Sequence, residues 1–310
     1  MMDAHGHSHA HSADAVRAGA GLQKRLLMAL LITLSIFVVE IIGGFLSNSL
    51  ALKSDAGHLF GDVMALGLSL LAVRIAALPA SPKRTFGYHR AEVLAAVVNG
   101  LTLLLLAGYI FYEAYHRLLQ PQPIKSAMML IVAVIGLAAN TVVIFGLRGH
   151  ARENLNVRAA FLHVVGDMLG SVGVVLGGLI MFLTGNYLAD PIISFFVGAI
   201  ILFGALGVLR EGVNILLEGV PRAIKYDDLK ADMESIEGVV AVHDLHIWTI
   251  SSSNVVLSAH VEVPNQPTHA SQRILTSVKR FLKEKYDISH ATLQIECECC
   301  ARTDRDCSVF

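Results

Sequence analysis

Long apolar runs dominate the first two thirds of the chain. Each can supply the ~20 residues that a helix needs to cross a bilayer. The runs cover residues 25–47, 55–79, 91–118, 126–148, 156–183 and 190–209. The pattern therefore predicts an α-helical membrane protein with six transmembrane helices, and an even number of spans places both ends of the helical region on the same side.

The pattern changes at Gly219-Val220-Pro221, where glycine and proline indicate the end of a helix. Helical spacing returns at 225–236 and 269–285. Segments rich in Val and Ile, which are typical of strands, follow each of these two predicted helices. The three strand segments are 239–250, 254–263 and 290–297, and a hairpin turn is predicted at 251–254. The order αββαβ predicts a C-terminal cytoplasmic α+β domain of ferredoxin-like type.

Four regions follow from these patterns. Residues 1–23 lack large apolar side chains and are expected to form a disordered, His-rich arm. Residues 24–218 form the predicted six-helix transmembrane domain, 219–297 the ferredoxin-like domain, and 298–310 a Cys-containing tail.

Composition agrees with a membrane protein. Of the 310 residues 54% are apolar and only 16% are charged, whereas soluble domains average about 25% charged residues. The net charge of −1 and the lack of a basic stripe argue against a nucleic-acid partner. No cleavable signal peptide is predicted, because the first apolar run has full spanning length and no A-x-A-like site.

Basic residues cluster on alternate connections between the runs. They are Lys24, Arg25, Arg74, Lys83, Arg84, Arg90, Arg148, Arg152, Arg158 and Arg210. The positive-inside rule then predicts that both termini are cytoplasmic.

Two copies of one motif lie inside the apolar runs: His58-x-x-x-Asp62 and His163-x-x-x-Asp167. Residues i and i+4 share a helix face, and a charge in the bilayer costs at least ~2.5 kcal/mol. Both motifs are expected near the middle of the bilayer, because their two helices start on opposite sides of the membrane and each motif lies at a similar depth. Independent intrahelical hydrogen bonds are the alternative, but equal spacing and depth favour one shared site whose two imidazoles and two carboxylates suit tetrahedral Zn²⁺.

The motifs and their surroundings resemble the cation diffusion facilitator family. The matching segments are SNSLAL at 47–52, SDAGH at 54–58 with Asp62, FGYHRAE at 86–92, NLNVR at 154–158 ahead of His163, and HDLHIW at 243–248. The resemblance covers about residues 20–297 and is closest to the zinc-transporting branch, including bacterial zinc, cadmium and cobalt efflux proteins. It implies a homodimeric, proton-coupled carrier with His58, Asp62, His163 and Asp167 as the transport site.

The resemblance also implies further sites. Metal binding in the cytoplasmic domain is expected at His243, His260 and Glu296; since Gln294 is a poor zinc ligand, His290 is expected to replace it, with His269 a weaker candidate. Arg90 and Glu218 match an inter-span charge interlock near the dimer axis. Tyr88 stands where some members have a histidine after the Phe-Gly pair, so no site is expected in that loop.

The arm and the tail carry weaker metal candidates. The tail thiols at Cys297, Cys299 and Cys300 are expected to be reduced, either solvated or binding zinc. The arm histidines are expected to gather zinc weakly or to have no role; they are His5, His7, His9 and His11.

These features predict a Zn²⁺ exporter, with Cd²⁺ or Co²⁺ as other cargo, that exchanges metal for protons in a bacterial inner membrane. An enzyme is not expected, because four ligands leave no open position for water and no H-E-x-x-H motif is present. The main alternative is a membrane zinc sensor that binds metal without moving it. Glu40, inside the first apolar run, has no predicted partner.

Overall fold

The computed structural model describes residue 28 and residues 30–76, 78–148, 155–251 and 254–297; the side chains of 69, 70, 73, 147, 155–160 and 163 are not among them. The chain forms two compact units. The first holds the described residues up to Gly67 together with Asn99–Leu206, and the second holds Leu68–Val98 and the described residues from Gly207 onward.

Six long helices each overlap one of the predicted apolar runs. They are α1 (Leu30–Ser47), α2 (Leu50–Ala76), α3 (Ala91–Leu119), α4 (Ser126–Arg148), α5 (Leu155–Thr184) and α6 (Ala189–Leu216). Among the described residues, five of these helices are long and apolar enough to cross a membrane. The sixth, α2, is 27 residues long and carries Lys53, Asp55 and Asp62 within its first half, while the side chains of 69, 70 and 73 in its second half are not among those described.

Connections α1–α2 and α3–α4 meet at one end of the first unit. The backbone N–H of Lys125 donates to the carbonyl of Ser47 at 3.0 Å, and the Asn48 side chain donates to the carbonyl of Pro123 at 3.3 Å. Consecutive helices therefore alternate in direction. Gly185 ends α5 with φ +70°, a left-handed conformation that glycine adopts without steric cost.

Large apolar side chains cover much of the outer surface of these helices. Leu105, Phe145 and Phe203 are each about two thirds exposed or more. A contiguous apolar surface of this kind is unstable in water but is the expected exterior of a helix bundle in lipid. The protein is an integral membrane protein.

A small α+β region forms much of the second unit. It contains α7 (Tyr226–Glu234), β1 (Ala241–Ser251), β2 (Asn254–Val263), α8 (Thr268–Tyr286) and β3 (His290–Cys297). The predicted order αββαβ is confirmed, and Ser251 pairs with Asn254 across the predicted hairpin. The sheet order is β1-β2-β3, with β1–β2 antiparallel and β2–β3 parallel.

One face of this sheet packs on the two helices. Leu229 and Met233 of α7 and Val278 and Leu282 of α8 are fully buried in a shared core. In β2 the buried Val261 alternates with His260, so one strand face enters the core and the other stays accessible. The polar side chains of the sheet are thereby gathered on its open face.

A surface cluster ties α7 to α8 and should make stability depend on pH. Lys285 and the Tyr286 hydroxyl both donate to Asp232 Oδ2. These bonds lower the pKa of Asp232, while burial and the bond to Asp232 raise the pKa of Tyr286 to about 12. A lowered carboxyl pKa in the folded state stabilises the fold above the usual carboxyl range, and the stabilisation is lost as the pH falls through the folded pKa.

We therefore expect Asp232→Asn to lower the melting temperature at pH 7, and the difference from the wild type to shrink as the pH falls below 4, which is roughly the ordinary aspartate pKa. Thermal melts of the detergent-purified protein at a series of pH values measure this. Asp228→Asn on the same helix is the control, since Asp228 makes a long contact of 3.7 Å with Lys225 and acts on Tyr286 through its charge and not through a hydrogen bond. A difference that is the same at every pH would contradict the linkage.

Candidate functional site

Three ionisable side chains converge inside the first unit. His58 and Asp62 come from α2 and Asp167 from α5, and one ligand atom from each lies within 4.8 Å of the others. His58 Nε2 is 3.4 Å from Asp167 Oδ1. Asp167 is buried and His58 is about one quarter exposed, so the cluster is shielded but reachable.

The sequence of α2 separates its packing face from its polar face. A Cβ on Gly57 would lie 2.9 Å from Leu106 Cδ2, and a Cβ on Gly61 would lie still closer to Leu103 Cδ2, so these glycines let α2 approach α3. His58 and Asp62 each follow one of these glycines and point toward α5 instead. The i, i+4 spacing therefore delivers both side chains to one neighbour.

His163 belongs to the predicted set, and its backbone lies in α5 one helical turn before Asp167. Its side chain lies outside the described residues. Its membership in the cluster therefore stays a prediction.

A cavity of about 580 Å³ opens beside this cluster, within the first unit. Its polar lining comes from Asp55, His58 and Asp167, and apolar residues such as Phe196 and Ile200 form much of the remainder. An ion that enters such a space loses most of its water and is held by the few polar groups that remain.

Buried polar residues extend the cluster toward α4. Asn140 donates to Ser171 Oγ at 3.3 Å, and the Ser171 hydroxyl donates to Asp55 Oδ2 at 3.5 Å. Glu40 of α1 is also buried and lies against Gly136 of α4, and within the described part of the chain its Oε2 makes no hydrogen bond. Sequence reasoning did not find Asn140 or Ser171, since single polar residues in apolar helices carry no pattern.

A second polar network anchors the start of α2. Asp190, fully buried at the start of α6, accepts hydrogen bonds from Ser49 Oγ (2.6 Å) and from the backbone N–H groups of Leu50 (2.8 Å) and Ala51 (3.1 Å). Arg117 of α3 lies 3.7 Å away as the counter-ion. A carboxylate on the first N–H groups of a helix satisfies donors that have no partner within it.

A further cluster lies on the open face of the sheet in the second unit. His243 and His260 are paired across β1 and β2, and Glu296 comes from β3. Glu296 Oε2 is 3.1 Å from His243 Nε2, and Oε1 is 2.9 Å from His260 Nδ1. These three residues form the other His/carboxylate group among the described residues whose ligand atoms all lie within 4.8 Å.

Asp244 joins this face through a β-bulge. The register shifts between His243 and His246, and Asp244 adopts a left-handed φ of +47°. Its Oδ1 is hydrogen-bonded to His246 Nε2 at 3.0 Å, and its Oδ2 lies 3.5 Å from His260 Nε2. Asp244 was not among the residues predicted for this site.

Two of the predicted residues of this domain lie elsewhere. His290 begins β3, six residues before Glu296, or about 20 Å along the strand. It pairs with Val256 and packs edge-on against the ring of Phe86, with centroids 5.9 Å apart. His269 lies in the first turn of α8 and is not brought to the cluster.

Gln294 occupies the position beside His260 on β3 and donates to Glu296 Oε1 at 2.8 Å. Its amide therefore holds the carboxylate of the cluster in place, and it fills the position for which the sequence analysis expected His290 as a substitute.

Arg90 and Glu218, the pair predicted as a charge interlock near the dimer axis, form an ion pair inside the second unit. Arg90 Nη2 donates to Glu218 Oε1 at 2.7 Å, and both side chains are exposed. Glu218 follows the end of α6 by two residues and has φ +59°, one residue before the glycine that predicted the stop. Exposed pairs of this type stabilise a fold by about 0–1 kcal/mol.

Of the remaining metal candidates, Cys297 lies within the described residues and the others do not. Cys297 ends β3 beside Val263. The tail thiols at Cys299 and Cys300 and the arm histidines lie outside the described residues; the histidines are His5, His7, His9 and His11.

Family models match nearly the whole of the described chain. Residues 26–217 match the cation efflux transmembrane domain, and residues 221–298 match the cation efflux protein cytoplasmic domain. A solved structure described as the metal-bound C-terminal domain of the CzcD transporter from Cuprividus metallidurans covers 24% of this chain and 99% of its own, with 30% identity and a TM-score of 0.22.

Relatives that align along most of their length agree with these family models. The zinc transporter ZitB of Escherichia coli is 41% identical over 304 residues, which is 97% of this chain and 95% of the relative. The cadmium, cobalt and zinc/H(+)-K(+) antiporter of Bacillus subtilis is 40% identical over 279 residues, 89% of each chain, and the metal cation efflux system protein CzcD of Cupriavidus metallidurans is 40% identical over 284 residues, 92% of this chain and 90% of the relative. With family models covering both regions and relatives aligned along their length, the chain belongs to the cation efflux family.

Proposed function

We propose that this protein exports Zn²⁺ across the bacterial inner membrane in exchange for protons. The observation that carries the proposal is the buried convergence of His58, Asp62 and Asp167 beside a cavity in the helical unit. Nitrogen and carboxylate ligands suit zinc, and Cd²⁺ and Co²⁺ are the other cargo consistent with the names of the relatives.

The transport site in this proposal is His58, Asp62, His163 and Asp167. Both supporting helices reach deep into the bundle: His58 lies eight residues after the start of α2, about 12 Å along its axis. A cargo site near the bilayer midplane between helices is the arrangement that alternating access requires.

Proton exchange follows from the ligand chemistry. Imidazole binds metal only when neutral, and a carboxylate only when ionised, so protons and metal compete for the same groups. His58 sits 3.4 Å from Asp167, so a proton on the imidazole would pair with the carboxylate that the departing ion leaves behind. Protons that enter from outside would thereby displace the cargo and allow the carrier to return.

The proposed architecture has α2 as a sixth span, both termini cytoplasmic, and a homodimer in the lipid bilayer. Charges lower the hydropathy of α2, but its length of 27 residues suffices to cross, and its ionisable face points toward α5 rather than lipid. The proposed regions are the arm (1–23), the transmembrane domain (24–218), the ferredoxin-like domain (219–297) and the tail (298–310).

In the cytoplasmic domain, His243, His260 and Glu296 would bind a structural or regulatory zinc ion. Two imidazole nitrogens and a carboxylate oxygen are already gathered on the open sheet face, and His243 Nε2 is shielded from solvent 3.1 Å from Glu296 Oε2. Such an ion would link all three strands. The arm histidines and the tail thiols would bind zinc more weakly.

A flux experiment tests the transport proposal. Purified protein is reconstituted into liposomes that contain a zinc-sensitive dye, and zinc is added outside with and without an imposed pH gradient. We expect zinc uptake that rises several-fold with an acidic interior and vanishes when a protonophore dissipates the gradient. Zinc binding without any flux would support the sensor instead, and flux indifferent to the gradient would contradict antiport.

A further inference from the structure

We propose that Asp244 is a positioning residue for the sheet cluster: it holds His260 with its Nε2–H turned away from the cluster, so that the metal is bound by Nδ1. The inference rests on the proposed metal site at His243, His260 and Glu296, and it adds a defined nitrogen and an outer-shell carboxylate to that site.

His260 lies between two carboxylates that approach opposite nitrogens of its ring. Nδ1 is 2.9 Å from Glu296 Oε1, on the cluster side, and Nε2 is 3.5 Å from Asp244 Oδ2, on the far side. A neutral imidazole carries one N–H and one bare nitrogen, and only the bare nitrogen binds a metal. An N–H directed at Asp244 therefore leaves Nδ1 bare and facing the other ligands.

The backbone explains why the carboxylate is available there. In a regular strand Asp244 would point to the opposite face from His243, into the core. The bulge between His243 and His246 and the left-handed conformation of Asp244 bring its side chain to the open face. Asp adopts this conformation more readily than most residues because its short polar side chain can hydrogen-bond locally.

His246 holds the carboxylate from the other side. It lies 3.0 Å from Asp244 Oδ1 and is more than half exposed, whereas Asp244 is about one third exposed. Asp244 is thus fixed by one histidine and directed at another. Carboxylate–histidine–metal arrangements of this kind set the tautomer and raise ligand basicity, and loss of the outer partner typically costs 10–100-fold in metal affinity.

Zinc titration of the full-length protein tests this, in an Asp62→Ala, Asp167→Ala background that removes the transport site. The fluorescence of Trp248, the only tryptophan of the chain, two residues from His246 in β1, reports binding. We expect Asp244→Ala to weaken zinc binding 10–100-fold, and Asp244→Asn, which keeps an acceptor without the charge, to weaken it less. Asp287→Ala is the control for the backbone, because Asp287 is also left-handed (φ +54°) but ends α8 outside the cluster.

The tautomer provides a readout that a merely structural role would not move. Nitrogen-15 NMR of histidine-labelled protein, with His260 assigned from a His260→Ala variant, should show Nδ1 bound to zinc and a proton on Nε2. Zinc bound through Nε2, or an Asp244→Ala affinity equal to that of Asp287→Ala, would overturn the inference. If the parent background bound no zinc in this domain, and His260→Ala did not change zinc binding, the proposed metal site itself would be wrong. If Asp244→Ala did not fold, the tautomer of His260 in the parent protein and the zinc affinity of Asp244→Asn would still test the inference.

Discussion

Replacement of Asp167 by asparagine is expected to abolish zinc transport while leaving a folded protein. The carboxylate is only 6% exposed and lies 3.4 Å from His58 Nε2, where it would both bind the cargo and pair with the protonated imidazole. Asparagine has the same shape, but its amide has no charge with which to bind the ion. Because loss of an outer-shell partner already costs 10–100-fold, we expect a direct ligand to cost at least about 100-fold in initial rate.

Initial rates of zinc uptake into proteoliposomes, with a matched amount of protein inserted, measure this effect. Asp62→Asn should behave in the same way, since Asp62 belongs to the same cluster. Asp228→Asn, on the exposed surface of α7, is the matched control and should transport at the wild-type rate. Wild-type transport by Asp167→Asn would contradict the shared site, and a rate lost together with the folded protein, seen as an altered melting profile, would assign Asp167 a structural role.

Regular helices made the first cluster predictable. The spacing of His58 and Asp62 fixes a common face on any helix, and two such motifs of matching depth point to one site even without knowledge of the packing.

The cluster on the sheet could be predicted only in part from the sequence pattern. His243 and His260 were predictable as neighbours on adjoining strands, but His290 was placed with them without knowledge of the strand register. The parallel pairing of β2 with β3 sets Gln294 beside His260 and sends His290 to the other end of the strand. Asp244 escaped notice because a bulge breaks the alternation on which face assignments depend.

The network around Asp190 could not be predicted either, because Asp190 lies about 140 positions along the chain from the N–H groups that donate to it. Nothing in the local sequence states that a carboxylate at the start of α6 will cap α2. The direction of its effect on stability can nevertheless be predicted, because the pair of Asp190 with Arg117 is almost completely shielded from solvent.

Removal of the Asp190 carboxylate should therefore destabilise the helical unit strongly. Asp190→Ala leaves the guanidinium of Arg117 without its buried counter-ion, and the N–H groups of Leu50 and Ala51 without an acceptor. Breaking a buried pair by removing one partner costs about 3–5 kcal/mol when the remaining charge is left uncompensated. Arg117 keeps Glu113 at 2.9 Å and the carbonyl of Asn48 at 2.7 Å, so we expect a loss toward the lower end of that range. We expect a clearly lower melting temperature in detergent. Transport should also be slower, because Asp190 anchors the start of α2, the helix that presents His58.

A double-mutant cycle separates charge loss from packing loss. Arg117→Met together with Asp190→Asn removes both charges, so the pair of substitutions should destabilise the protein by less than the sum of the two single changes. Glu113→Ala is the matched single control: it removes only the more exposed partner of Arg117, at 2.9 Å, and we expect a loss of about 1 kcal/mol or less. Strict additivity in the cycle would show that Asp190 and Arg117 act independently, and the anchoring of α2 would then depend on the capping hydrogen bonds alone.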